Sequence, residues 1–414
     1  MNDKVIIIGG GLAGLSLANV LKHQGVPYKV FERDATPQAR TQGWSISLHF
    51  CLPYLKNGMD PEKYSKIGVS SSADPQSPSN HKFYVLDGDN AELFMEPIGT
   101  NFEAEVYRIN RGRFRKWLLE GIDVEWNKVL DHYEVTESGV KVIFKDGSTE
   151  TGSVLVGADG VNSAVCAQIL GKERFQEATT VNPLQVLCGS FWMDQETRKK
   201  YEALAPMQMM IIGSYKGSAR CIFSSLTDVD RSGPEPKYEM QWSISSIDPL
   251  DKQPETEQER RELVKEWSQE FDPVFQSLLN DTPEDQSIVK LIIRERSPSE
   301  DLAEKSEQGR VVLIGDAAHT MTMYRGEGGN HAIQDAAELG LLLADVYKTD
   351  KPLAKAVQEY YDAMIPRGQK AVKESHEASL FMHGPKEQVK QTFIMIGQQI
   401  AARLEAMKKQ EESK

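Results

Sequence analysis

The chain has 414 residues, with 48 Lys and Arg against 61 Asp and Glu, for a formal net charge of −13. This length exceeds that of one compact unit, so two domains are expected. The acidic balance argues against nucleic acid or an anionic membrane as partner, since both reward basic patches, and leaves a small molecule.

Four cysteines, Cys51, Cys166, Cys188 and Cys221, show no Cys-x-x-Cys pair and no metal-like spacing. They read as small buried hydrophobes, and no metal site is expected. The start of the chain lacks a basic stretch and a small-residue cleavage site, and no apolar run approaches the roughly 20 residues of a membrane span. A reduced, cytoplasmic protein is the expectation.

In chain order, Val5-Ile6-Ile7-Ile8 is a β-branched run of the kind buried on both faces of a parallel sheet. It leads into Gly9-Gly10-Gly11-Leu12-Ala13-Gly14 and then a helical pattern through Leu21. In such a strand, turn and helix, Gly9 permits the tight turn and Gly11 lets main-chain amides reach a pyrophosphate. Gly14 lets helix and strand pack closely. The next strand, residues 28–31, ends on Glu32, placed to accept hydrogen bonds from an adenosine ribose. At this point NAD and FAD are both open.

Residues 111–118 carry apolar side chains at helical spacing behind Arg111, which alone reads as a surface charge. A second apolar strand, 154–156, runs into Gly157-Ala158-Asp159-Gly160, where Asp159 by itself could cap the following helix. Runs at 184–193, 207–215, 219–226 and 239–247 read as strands of an antiparallel sheet. A helix is expected over 262–271. A third strand, 311–314, ends at Gly315-Asp316-Ala317-Ala318-His319, which puts the Asp316 carboxylate at a strand C-terminus, where open α/β sheets bind ligands. An acid there suits a polyol chain. Gly326, Gly328 and Gly329 then allow close backbone approach to something flat, and a helix from Asn330 points its N-terminal amides at a developing anion.

With these three motifs in this order, the sequence resembles the single-component FAD-dependent aromatic monooxygenases of the para-hydroxybenzoate hydroxylase and salicylate hydroxylase type, including fungal secondary-metabolism members, over residues 4–380. The resemblance implies an α/β fold. A Rossmann-like FAD-binding domain (1–180, with a substrate-side excursion near 50–105, and 296–380) would enclose an antiparallel-sheet substrate domain (181–295) roofing the flavin. A C-terminal helix and polar tail (381–414) would pack across the domains.

The resemblance also assigns roles. Gly9, Gly11 and Gly14 would meet the pyrophosphate, and Glu32 the ribose, with Arg33 facing the adenosine. Gly43 and Ser45 would flank the flavin, and Arg111 would contact FAD. Asp159 belongs to a motif serving both FAD and the nicotinamide donor. Asp316 would bind the ribityl chain, and Gly328, Gly329 and Asn330 would line the isoalloxazine. The family's usual proline four residues past the motif histidine is here Met323, read as a core side chain.

The implied activity is insertion of one oxygen from O2 into an electron-rich aromatic or indole-type molecule, through a flavin hydroperoxide, with NAD(P)H as transient donor. His49 is the nearest candidate base, although a structural histidine is the plainer reading; His319 reads as a loop-shaping residue. Two relatives of the same fold stand as alternatives. A halogenase would need a Trp-x-Trp-x-Ile-Pro signature that is absent, and a non-enzymatic relative would have no use for Glu32 and Asp316. An NAD dehydrogenase would leave the second and third motifs without a task.

Overall fold

A computed structural model of the chain describes residues 4–39, 44–76, 82–97 and 105–412, with side chains to residue 402. It divides into two compact units, the first made of Met1–Pro75, Ile109–Asn182 and Ile293–His376. The second is made of Gln76–Arg108, Pro183–Ile292 and Glu377–Lys414. The C-terminal helix, Lys386–Glu412, thus belongs to the second unit, where the Phe381 and Phe393 rings lie 6.4 Å apart.

The first unit is built on a five-stranded parallel sheet. Val5–Ile8 sits at its centre, paired on one side with Val154–Gly157 and then Val311–Leu313, on the other with Tyr28–Phe31 and then Val124–Glu125. The three motif-bearing strands are therefore immediate neighbours in register, and their C-terminal ends open on the same edge. Val5, Ile6, Ile7, Val156, Val311 and Val312 are all 0% exposed. Each such side chain contributes roughly 1.5–3 kcal/mol of burial, which explains the unbroken β-branched runs in the sequence.

Main-chain bonds tie the strand ends together: Gly9 N donates to Phe31 O (2.8 Å), Ala158 N to Ile8 O (2.8 Å) and Ile314 N to Gly157 O (3.0 Å). The helices Leu12–Gln24 and Gly328–Lys348 lie against each other. A Cβ on Gly315 would stand 2.9 Å from Ala332 Cβ and 3.2 Å from Ala13 Cβ, so residue 315 is where the two helices close over the third strand.

The second unit holds a six-stranded sheet in the order Val289–Leu291, Gln185–Met193, Lys237–Ser246, Ser218–Asp230, Gln208–Tyr215, Tyr84–Asp87. The four expected antiparallel strands are its core. Tyr84–Asp87, from the excursion, adds to the edge in parallel. The helix expected over 262–271 runs instead over Glu257–Trp267, because Thr256 and Glu259 form a capping box that starts it earlier.

Alternation separates the two faces of this sheet. The register Gly189, Trp242, Ser224, Met209 runs along one face, where Trp242 Nε1 donates to Thr282 Oγ1 (2.8 Å) and Gly213 approaches Phe271. The register Cys188, Ser243, Phe223, Met210 marks the other. Alongside that row stand Ser190, Gln241, Ser225 and Gln208, and all but Ser190 are buried. All four cysteines of the chain are buried and unpaired. No helix among the described residues is long and apolar enough to cross a membrane.

Candidate cofactor site of the first unit

The first glycine turn behaves as its spacing requires. Gly9 has φ of +118°, and a Cβ there would lie 2.2 Å from Ala158 O; one on Gly14 would lie 2.0 Å from Gly9 O. Both positions are closed to any larger residue. Gly11 differs: the place of its missing Cβ has nothing within 4 Å. It opens on a cleft of about 330 Å³ lined by Gly10, Gly11, Glu32, Asp34, Arg111 and Arg115 among others. The Leu12–Gln24 helix starts there with no side-chain cap and no acid in its first turn, leaving its N-terminal amides free for an anion.

Glu32, 7% exposed, is fixed from both sides. Its Oε2 accepts from Gly10 N (2.6 Å) and its Oε1 from Asp34 N (2.9 Å). Arg115 donates through Nε to Gly10 O (2.9 Å) and through Nη1 to Pro37 O (2.8 Å), and its guanidinium lies 5.3 Å over the Trp126 ring.

The third motif is built differently. Residues 311–320 are buried except Asp316, which is exposed. Its carboxylate has no hydrogen-bond partner among the described residues. Solvent reaches it, yet the protein crowded around it still pushes its pKa up, with Asp335 adding to that effect and His319, Arg111 and Arg296 pulling it down. Arg111 therefore serves both regions: it lines the glycine cleft and its charge is felt at Asp316.

The turn that carries Asp316 is clamped by two buried groups of opposite charge. Arg296, 1% exposed, donates through Nη2 to Asp316 O (2.9 Å) and Ala317 O (3.0 Å) and through Nη1 to Val161 O (3.1 Å), joining the second motif to the third. Asp335, 0% exposed, accepts at Oδ2 from both Gly315 N (2.9 Å) and His319 Nε2 (2.6 Å), and at Oδ1 from Arg367 Nη2 (2.7 Å). Arg367 in turn reaches Glu338 Oε2 (2.8 Å).

Glycine-rich cleft, ribose-type acid, uncapped helix and an unpartnered acid at the next-but-one strand end together fit a dinucleotide whose second half is a polyol. A comparison with known families decides which. The FAD binding domain family model matches residues 2–47 and 115–375. The chain belongs to this family of FAD-dependent monooxygenases. It is 34% identical over 386 residues to the FAD-dependent monooxygenase thnD of Trichoderma harzianum, covering 90% of this chain and 92% of that one. It is 32% identical over 349 residues to dbaB of Emericella nidulans, covering 81% and 85%. The fold is that of Klebsiella pneumoniae HpxO complexed with FAD (TM-score 0.71, 22% identity, 94% of this chain and 93% of that). It is also that of 2,6-dihydroxypyridine-3-hydroxylase from Arthrobacter nicotinovorans (TM-score 0.69, 19% identity, 93% and 94%).

Within this flavoprotein the structure brings Gly9, Gly11, Gly14, Glu32 and Arg111 into one region around the glycine cleft. Arg33 is exposed and does not line it: Glu32 and Asp34 turn inward, so the residue between them turns out. Asp159 is occupied by its own helix, as its plainer reading had it. It accepts from Ser163 Oγ (2.5 Å), Ala164 N (2.7 Å) and Val165 N (3.3 Å).

The Asn330 side chain, 0% exposed, faces protein rather than open space. Its Oδ1 accepts from His49 N and its Nδ2 donates to Ser47 O, both at 2.8 Å, stapling the Ser45–Leu48 strand to the start of the Gly328–Lys348 helix. Gly328 and Gly329 form the uncapped first turn of that helix, which starts two residues before the expected Asn330. Ser45 is buried in the stapled strand, and Gly43 lies outside the described residues.

His49 is half-buried against the Phe50 ring (centroids 4.8 Å apart), and burial pushes its pKa down against the pull of Glu327. Met323, expected in the core, is 42% exposed. Its loop is instead anchored by the bidentate Arg325–Glu327 pair (both contacts 2.9 Å).

Arg115, Arg296 and the Asp335 network were missed in the sequence. Arg115 carried a usable signal, since it lies four residues after Arg111 and so on the same helix face. Arg296 and Arg367 carried none: they meet their partners only through tertiary structure.

Proposed function

We propose that this flavoprotein hydroxylates or epoxidises an oxygenated aromatic small molecule, with NAD(P)H as electron donor, and that the polar face of the antiparallel sheet reads the substrate. Bound FAD would supply the redox chemistry, with NAD(P)H as two-electron reductant and O2 as oxidant, so that one oxygen atom reaches the substrate and the other is released as water. The polypeptide binds the cofactor, orients the substrate and keeps water from the reacting atoms.

The observation that carries the substrate reading is the composition of that face. Phe223 and Met210 give it apolar contact area, while Gln208, Ser225, Gln241 and Ser243 line it with hydroxyls and amides. Arg108 adds a guanidinium 5.4 Å over the Phe223 ring, with Nε donating to Ser225 Oγ (3.0 Å). Such a mixture suits a flat ring bearing several oxygens better than an aliphatic chain.

His49 is the candidate base for a phenol or indole proton. Its lowered pKa leaves it neutral, and so able to accept a proton, at pH 7. The test is substrate-stimulated NADPH and NADH oxidation across phenols, dihydroxynaphthalenes, indoles and aromatic polyketides, with product mass as the second readout. A responding oxygenated aromatic gaining 16 mass units supports the reading. Response only to non-aromatic compounds would overturn it.

A further inference from the structure

The Asp335 network is more elaborate than a loop anchor needs. One oxygen, Oδ2, holds both the Gly315 amide and the His319 ring, which bracket the turn that carries Asp316. The partnership is strict, since Asp335 is the only hydrogen-bond partner of the His319 ring among the described residues. The ring is 1% exposed and its Cδ2 would stand 3.2 Å from a Cβ on Gly368, so it has no other place to go.

We propose that Asp335 and His319 form a positioning pair for Asp316: Asp335 fixes the turn and holds His319 as a cation, and that cation keeps the Asp316 carboxylate charged where it meets the FAD polyol chain. Neither residue touches the cofactor, so both act through Asp316. This goes beyond the family assignment and is independent of the substrate reading, because FAD affinity alone reports on it.

The charged groups around the pair come from several elements. Asp316 shares the turn with His319. Asp335, Glu338 and His331 come from the Gly328–Lys348 helix, the His331 ring lying 6.0 Å from that of His319. Arg367 comes from the Leu353–Phe381 helix, and Arg111 and Arg296 face Asp316. Burial lowers the affinity of His319 for its proton, but the Asp335 carboxylate overrides this and the net shift is upward. His331, by contrast, is pushed down to about 4 and is neutral. Among the described residues whose charge is felt at Asp316, His319 is therefore the one that titrates near neutral pH as a cation.

The experiment is a double-mutant cycle read by flavin fluorescence on the full-length apoprotein, with FAD as probe. His319→Gln keeps a donor toward Asp335 but removes the charge. It is expected to weaken FAD binding about tenfold at pH 6.5 in the unaltered background, the size of one charge-assisted contact, and to add nothing in an Asp316→Asn background. In the unaltered protein FAD binding weakens as pH falls through the Asp316 pKa. That break should move to higher pH in His319→Gln and vanish in Asp316→Asn.

Losses that simply add in the double variant, or a break that stays in place, would overturn the proposal and leave His319 a structural residue. If His319→Gln does not accumulate as folded protein, His319→Asn takes its place, since it too removes the charge and leaves Asp335 intact, with the same expected shift of the break and the same overturning result.

Discussion

Around Gly10 and Gly11 the cofactor site is made of main chain and open space, whereas around Asp316 it is made of buried charges two and three contacts deep. On the proposed assignment the glycine cleft would recognise FAD by shape: closed Cβ positions at Gly9 and Gly14 hold the turn, and the open one at Gly11 would admit the ligand. The Asp316 turn would recognise it by charge, through a carboxylate whose turn is held by Arg296 on its carbonyl side and Asp335 on its amide side. Recognition by shape tolerates no added atoms but is indifferent to pH. The charge-built end tolerates isosteric replacement yet depends on ionisation.

The largest effect should come from Gly14→Val. Its added carbons meet Gly9 O at 2.0 Å, so strand and helix must part. A loss of at least ~2 kcal/mol in urea unfolding, with no retained FAD, is expected. Asp316→Asn comes next. It keeps the shape and removes the charge, so FAD affinity should fall on the order of 10- to 100-fold, the range for losing charge-assisted hydrogen bonds to two hydroxyls, while unfolding stability holds.

Gly11→Ala sharpens the contrast with Gly14. The new methyl enters empty cleft, so stability should change by less than ~0.5 kcal/mol while FAD binding drops about tenfold. Equal instability in Gly11→Ala and Gly14→Val would break the distinction between closing and opening glycines.

The charged region makes a pH prediction. His319 has a folded-state pKa above its ordinary value, so its contribution to stability is complete below about pH 6.5 and is lost as pH rises through the folded value. Asp335 lies at about 2, below its ordinary 3.8, so its contribution is complete above about 4 and is lost as pH falls toward 2. Thermal unfolding should therefore peak between these limits, and His319→Gln should flatten the alkaline decline. An alkaline slope unchanged in that variant would count against a charged His319. The smallest expected effect is that of Arg33→Ala, whose exposed side chain turns away from the cleft: FAD affinity should stay within about twofold, as for a surface substitution away from any site.

The same contrast explains what the sequence made legible. The glycine end is written locally: Gly9, Gly11 and Gly14 sit at fixed offsets beside β-branched strands, and Glu32 follows one helix later. Four strands of each sheet were equally clear, because period-2 alternation and continuous apolar runs are properties of neighbouring residues, whereas the edge strands Val124–Glu125, Tyr84–Asp87 and Val289–Leu291 were not read. The charged region is not local. Arg296 meets Val161 across 135 positions and Arg367 meets Asp335 across 32, and no spacing rule announces either contact. Met323 was misplaced for a related reason: which way a loop side chain turns depends on pairs such as Arg325–Glu327.

One titration tests the division most directly. ADP should occupy the glycine end alone, whereas FAD needs both ends. Calorimetric titration of the apoprotein and of Asp316→Asn with each ligand should show FAD affinity falling at least tenfold in the variant and ADP affinity unchanged. An equal fall for both ligands would mean that the two ends are one inseparable structure and would contradict the account.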